Sequence, residues 1–174
     1  MGRKKTDKDV ITSVTAWKKA LLLMLEDGNI TISNRFHNSP MNVTDSEVKT
    51  ALDKCHNFKL FVSELGFLSL PISQVFFQLN PSMSNESAIL RRAHLLLGQL
   101  MEHLEKLGYV DAYQVDMGEK SYCLNKIGIG VALNIQEHDD NKERFKQTQR
   151  IMTRSMIAAF IIAGMATLNF FFGS

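Results

Sequence analysis

Two cysteines in 174 residues, Cys55 and Cys123, are too few for a disulfide framework and agree with a reducing compartment. Only three prolines are present and no tract is low in complexity, which excludes a collagenous or linker-dominated chain. Neither sign of charge dominates, since 20 Lys and Arg face 18 Asp and Glu, so a uniformly basic or acidic protein is excluded too. The balance is uneven along the chain. Residues 1–140 hold 15 Lys and Arg against 17 Asp and Glu, whereas residues 141–174 hold 5 against 1. Apolar side chains are present in ordinary amount, 45% of the residues, enough for one cored domain and too few for a polytopic membrane protein.

Several chemistries lack their residues. Gly128-Ile129-Gly130 has no third glycine and no strand-to-helix entry, so no phosphate-cradling loop is expected. His94 and His103 stand nine positions apart, near opposite faces of a helix, while Cys55 and His56 are adjacent and diverge, so no metal site is expected. No GxSxG turn occurs, and no nucleophile pairs with a base at a recognisable spacing. The reading is therefore a protein that is not an enzyme, without catalytic residues or cofactors.

One long hydrophobic run stands out. Residues 156–172, MIAAFIIAGMATLNFFF, carry no charge and as a helix would extend about 26 Å at about 1.5 Å per residue, near the lower limit for crossing a hydrocarbon core. This predicts a transmembrane helix; the alternative is a core helix or an apolar dimer helix. Lys142, Arg144, Lys146, Arg150 and Arg154 make segment 136–155 a basic juxtamembrane linker or helix, so the N-terminal body is expected in the cytoplasm, held by a single pass. Residues 1–9 are polar and rich in Arg and Lys, and no signal peptide is expected there.

The body reads as mainly helical. Val10, Val14, Trp17, Leu21 and Met24 recur at spacings of three and four, predicting a helix that ends at Gly28 and forms, with the loop to residue 43, an N-terminal segment 1–43. A short extended piece is expected at 30–32. Thr44-Asp45-Ser46-Glu47 has the capping-box pattern and opens a helix whose buried stripe is Val48, Leu52, Cys55, Val62 and Leu65. A very short strand is expected at 67–70 and a short helix from Pro71 to residue 79. The long helix 86–107 has Ile89, Ala93, Leu96, Leu100, Leu104 and Leu107 as its apolar face, with Ser87, Arg91, His94, Gly98, Glu102 and Glu105 outward. Residues 109–124 read as a hairpin turning at 116–120, after which Asn125 caps a helix to about residue 135.

That order, with the phrases Leu104-Glu105-Lys106-Leu107-Gly108-Tyr109-Val110 and Tyr122-Cys123-Leu124-Asn125-Lys126-Ile127-Gly128, resembles the winged helix-turn-helix domains of MarR-like regulators over about residues 44–135. The resemblance implies a mainly α fold with a small β-hairpin wing, a recognition helix within 86–107 that enters the major groove, and a wing tip at 116–120. Ser87, Arg91, Arg92, Gln99 and Lys120 become the candidate DNA-binding residues. The implied partners are double-stranded DNA, a second copy of the chain, and membrane lipid through the C-terminal helix. Residues 82–135 carry 5 basic against 6 acidic side chains, so the alternative is a tail-anchored module that binds another protein and no DNA.

Overall fold

The computed structural model describes residues 11, 13–33, 44–70, 83–116 and 118–172, with side chains through residue 157. The protein is mainly helical with one small three-stranded antiparallel sheet. The chain divides into two units, Met1–Leu133 and Asn134–Ser174.

In the first unit, α1 (Val14–Asp27) starts where the Ser13 hydroxyl accepts from the Ala16 amide and ends at Gly28, whose φ of 85° a side chain would resist. Its buried side chains are Ala20, Leu21, Leu23 and Met24. Val14, expected in the buried stripe, is 57% exposed. Strand β1 (Ile30–Ser33) follows directly, and the extended piece expected at 30–32 is thus a full member of the sheet.

The capping box at Thr44 forms in both directions: its hydroxyl accepts from the Glu47 amide, and its own amide donates to Glu47 Oε2 at 2.8 Å. The helix it opens does not reach Gly66 in one piece. It ends as α2 (Asp45–Asp53), and α3 (Phe58–Glu64) begins after a break. Asn57 makes the break, since it adopts φ 59° and its side-chain amide donates to the carbonyls of Asp27 and Asn29, at 2.9 and 3.0 Å. A left-handed φ at this position cannot continue a right-handed helix. The strand expected at 67–70 is a 3₁₀ turn, Phe67–Ser69, entered through Gly66 at φ 73° and pinned by the Ser69 hydroxyl on the Gly66 carbonyl. The short helix expected from Pro71 lies outside the described residues.

The long helix α4 (Asn85–Lys106) is capped by Ser84 and leads through Gly108 into β2 (Val110–Asp116) and β3 (Glu119–Leu124). The hairpin turns through Gly118 at φ 91° and carries an irregularity between Gln114 and Asp116. Strand order is β1-β3-β2, with Ile30 and Ala112 both opposite Tyr122 on the central strand. Helix α1 packs on β3, α3 on β1, and α4 on α2, α3 and β2. Leu21, Ile30, Ile32, Phe58, Phe61, Leu97, Leu100, Met101, Leu104 and Tyr122 form the fully buried centre.

Helix α5 (Lys126–Phe172) is started by Asn125, whose side-chain oxygen accepts from the amides of Ile127 and Gly128 while its Nδ2 donates to the Gly108 carbonyl, each at 3.0 Å. The expected stop near residue 135 is absent. Glu137, His138, Asp139 and Asp140 are all exposed, and solvated charges leave the helical backbone ladder intact. The described residues of the second unit belong to this helix, and every side chain from 136 to 157 is exposed. Among the described residues no helix is long and apolar enough to cross a membrane; of the predicted span 156–172, the side chains from 158 onward lie outside the description.

Candidate nucleic-acid interface

A helix packed on one side has one buried stripe, but α4 meets elements on several sides. Ala88, Arg91, Ala93, His94, Leu96, Leu97, Gly98, Leu100, Met101 and Leu104 are all buried. The outward face expected from periodicity is therefore displaced. Arg91, His94 and Gly98 point inward, while Leu107 is 46% exposed.

The solvent side of α4 is the row Arg92, Gln99, His103 and Lys106, of which Gln99 and Lys106 are exposed and Arg92 and His103 half-buried. At about 100° per residue these four fall within an arc of about 60° and span about 21 Å of helix axis. Ile11 lies against the C-terminal half of the row, and together with Gln99, Glu102, His103 and Lys106 it lines a shallow groove. Residues 1–10, with Arg3, Lys4, Lys5 and Lys8, lie outside the described residues.

The five sequence-selected residues are not one surface. Ser87 is half-buried and serves the cap, its amide donating to Ser84 Oγ at 3.3 Å. Arg91 is 7% exposed, and burial presses its guanidinium below the usual arginine range. Arg92 is half-buried and donates through Nη1 to the Leu70 carbonyl at 3.4 Å. Gln99 is open to solvent. Lys120 Nζ lies 2.9 Å from Glu105 Oε2 and 5.2 Å above the Tyr122 ring; the Glu105 carboxylate, foremost, holds it in the charged form and raises its pKa. Arg92 and Gln99 thus share the α4 row, and Lys120 sits apart from it on the hairpin. His103 and Lys106 complete the row and were not singled out from sequence, although their spacing of four and seven from Gln99 places them beside it once the phase of the helix is known.

The hairpin is the other exposed feature. Tyr113 and Val115 are 45% and 55% exposed, and Asp116 and Glu119 flank the turn. The Tyr113 hydroxyl accepts from Asn29 Nδ2 at 3.0 Å, which ties the hairpin to the end of α1. Among the described residues no cluster of His, Cys, Asp and Glu could hold a metal ion. Compared with known proteins, the chain matches no family model, no curated protein and no solved structure.

Proposed function

We propose that the chain is a single-pass, membrane-anchored winged-helix protein that binds double-stranded DNA on the cytoplasmic side, as a transcription regulator or DNA tether. The observation that carries this reading is the α4 row of Arg92, Gln99, His103 and Lys106, which presents cationic and hydrogen-bonding groups on a helix leading straight into an exposed hairpin. Such a row offers phosphate contacts from Arg92 and Lys106 and base-edge hydrogen bonding from Gln99. The element order supports the winged-helix assignment, with β1 supplying the strand that pairs against the wing. The uncharged run 156–172 and its basic flank support the anchor, which would confine the DNA-binding unit to the membrane surface and raise its effective concentration there. A homodimer fits this reading, because a two-fold reader spans two half-sites.

A second reading, a tail-anchored module that binds a protein and no DNA, is favoured by one observation. The hairpin presents Tyr113 and Val115 to solvent beside Asp116 and Glu119, a surface that suits an apolar and basic partner better than phosphates.

The test is titration of the full chain in detergent micelles against labelled duplex DNA over a range of salt, with the Arg92→Ala/Lys106→Ala double variant alongside. The expected result is binding that weakens steeply with salt, with a log–log slope smaller by about two in the double variant. No binding even at low salt overturns the DNA reading and leaves the protein-partner reading, which cross-linking from a photoreactive group at Val115 in membranes then examines.

A further inference from the structure

Glu143 is the last acidic side chain of the sequence, and Arg144, Lys146, Arg150 and Arg154 follow it. On α5, the side chains of Lys146, Gln149, Arg150, Thr153 and Arg154 line one surface. Their spacing keeps them within an arc of about 140°. The Thr153 hydroxyl is committed to the Gln149 carbonyl at 2.9 Å, so the three cations and the Gln149 amide are the groups presented. Among the described residues none of the three cations has a carboxylate partner. Alongside them run Phe145, Met152 and Met156, which are 64%, 61% and 59% exposed and fall within an arc of about 40°.

We propose that this face of α5 docks on an anionic phospholipid surface, with Arg150 and Arg154 on headgroup phosphates and Lys146 at the edge of their reach. The proposal rests on the membrane reading given above. For a helix entering the bilayer upright at Met156, Arg154, Arg150 and Lys146 stand about 3, 9 and 15 Å above that residue along the axis. The Debye length is about 8 Å at physiological salt, so Arg154 lies within the headgroup field, Arg150 lies at about one Debye length, and Lys142, at about 21 Å, lies outside it. Two other occupants fit less well. A second copy laid along the same face would oppose Lys146, Arg150 and Arg154 with their own counterparts. Duplex DNA has phosphates but nothing to receive Met152 and Met156, which stand within about 6 Å of the point of entry, whereas the boundary between headgroups and acyl chains does.

The full chain, synthesised in the presence of neutral phosphatidylcholine vesicles and vesicles containing about one third phosphatidylglycerol, is allowed to distribute between the two. A preference of tenfold or more for the anionic vesicles is expected, at about fivefold per cation near the surface. Lys146→Gln/Arg150→Gln/Arg154→Gln should bring the distribution close to equal, and Arg150→Lys/Arg154→Lys should keep the preference. Equal distribution of the unaltered chain, or a preference that survives the triple glutamine variant, overturns the lipid site while leaving the anchor in place. Failure to associate with either vesicle overturns the anchor reading itself. If the triple variant loses duplex DNA binding without changing its vesicle distribution, the row belongs to nucleic acid and the lipid proposal falls.

Discussion

The main-chain amide of Ser33, the last residue of β1, donates to Nε2 of His94 at 3.1 Å, and the imidazole that receives it is completely buried in the middle of α4. Two positions earlier, the Thr31 amide donates to the His56 carbonyl at 3.2 Å. Strand β1 is an edge of the sheet, and these two acceptors, a side chain and a carbonyl from outside the sheet, occupy its Thr31 and Ser33 amides. A neutral imidazole with an unprotonated Nε2 does what a backbone carbonyl would do in a neighbouring strand.

Replacing His94 by Leu keeps the volume roughly constant but leaves the Ser33 amide without this acceptor inside the core. The expected cost is about 1–3 kcal/mol of folding stability, read as a lower urea midpoint with an unchanged slope. A midpoint equal to that of the unaltered chain would show that the Ser33–His94 bond contributes nothing measurable.

Arg91 and Arg92 are adjacent and are expected to behave differently. Arg91→Ala should lower thermal stability, because the buried stem packs in the core, and should leave the salt slope of DNA binding unchanged. Arg92→Ala should reduce the slope by about one. Equal slopes for both variants would remove Arg92 from the interface.

The first turn of α5 lies hard against the connection between α4 and β2. A Cβ at Gly128 would sit 1.9 Å from the Tyr109 carbonyl oxygen, a backbone atom already held by the Asn125 amide at 3.2 Å. Gly128→Ala should therefore destabilise the protein by at least about 1–3 kcal/mol. Gly130, two positions on, meets open space and lies in the same helix, so Gly130→Ala should raise stability by about 0.5–1 kcal/mol. Calorimetric melting temperatures moving in opposite directions would confirm the contrast.

Two carboxylates link stability to acid. Asp45 accepts from Ser84, and Glu47 accepts from the amide and hydroxyl of Thr44; these hydrogen bonds hold both groups below their ordinary values of 3.8 and 4.5. A carboxylate whose pKa is depressed on folding contributes stability above its unfolded value, and that contribution disappears as the pH falls through the folded one. Stability should thus begin to decline below about pH 4.5, with the slope reduced in Asp45→Asn/Glu47→Gln. Urea titrations at several pH values read the difference, and identical slopes would exclude these two groups as the acid-sensitive ones.

Much of the fold was legible where the cause is local. Thr44 and Glu47 cap α2 as their spacing predicts, Asn125 starts a helix, Gly28 and Gly108 end two others, and the hairpin turns within 116–120. Each is settled by residues within a few positions of one another, through hydrogen bonds or backbone conformations that the side chains dictate. The candidate interface was legible only in part. Periodicity found α4 but not its phase, because three elements and a strand bury it on more than one side, and a helix so surrounded has no single apolar stripe for the pattern to reveal.

By itself, then, the sequence determined the helical content, the caps, the hairpin, the asymmetry of charge and the uncharged C-terminal run, since composition and short-range spacing carry all of these. Tertiary structure alone decided that Ile30 pairs with Tyr122, that Asn57 breaks a helix to hold Asp27 and Asn29, and that Arg91 is buried while Arg92 and His103 are half-buried and Gln99 and Lys106 face solvent. These depend on groups 28 to 92 positions apart or on which neighbours surround a helix, and no local pattern encodes which of its faces the rest of the chain will cover.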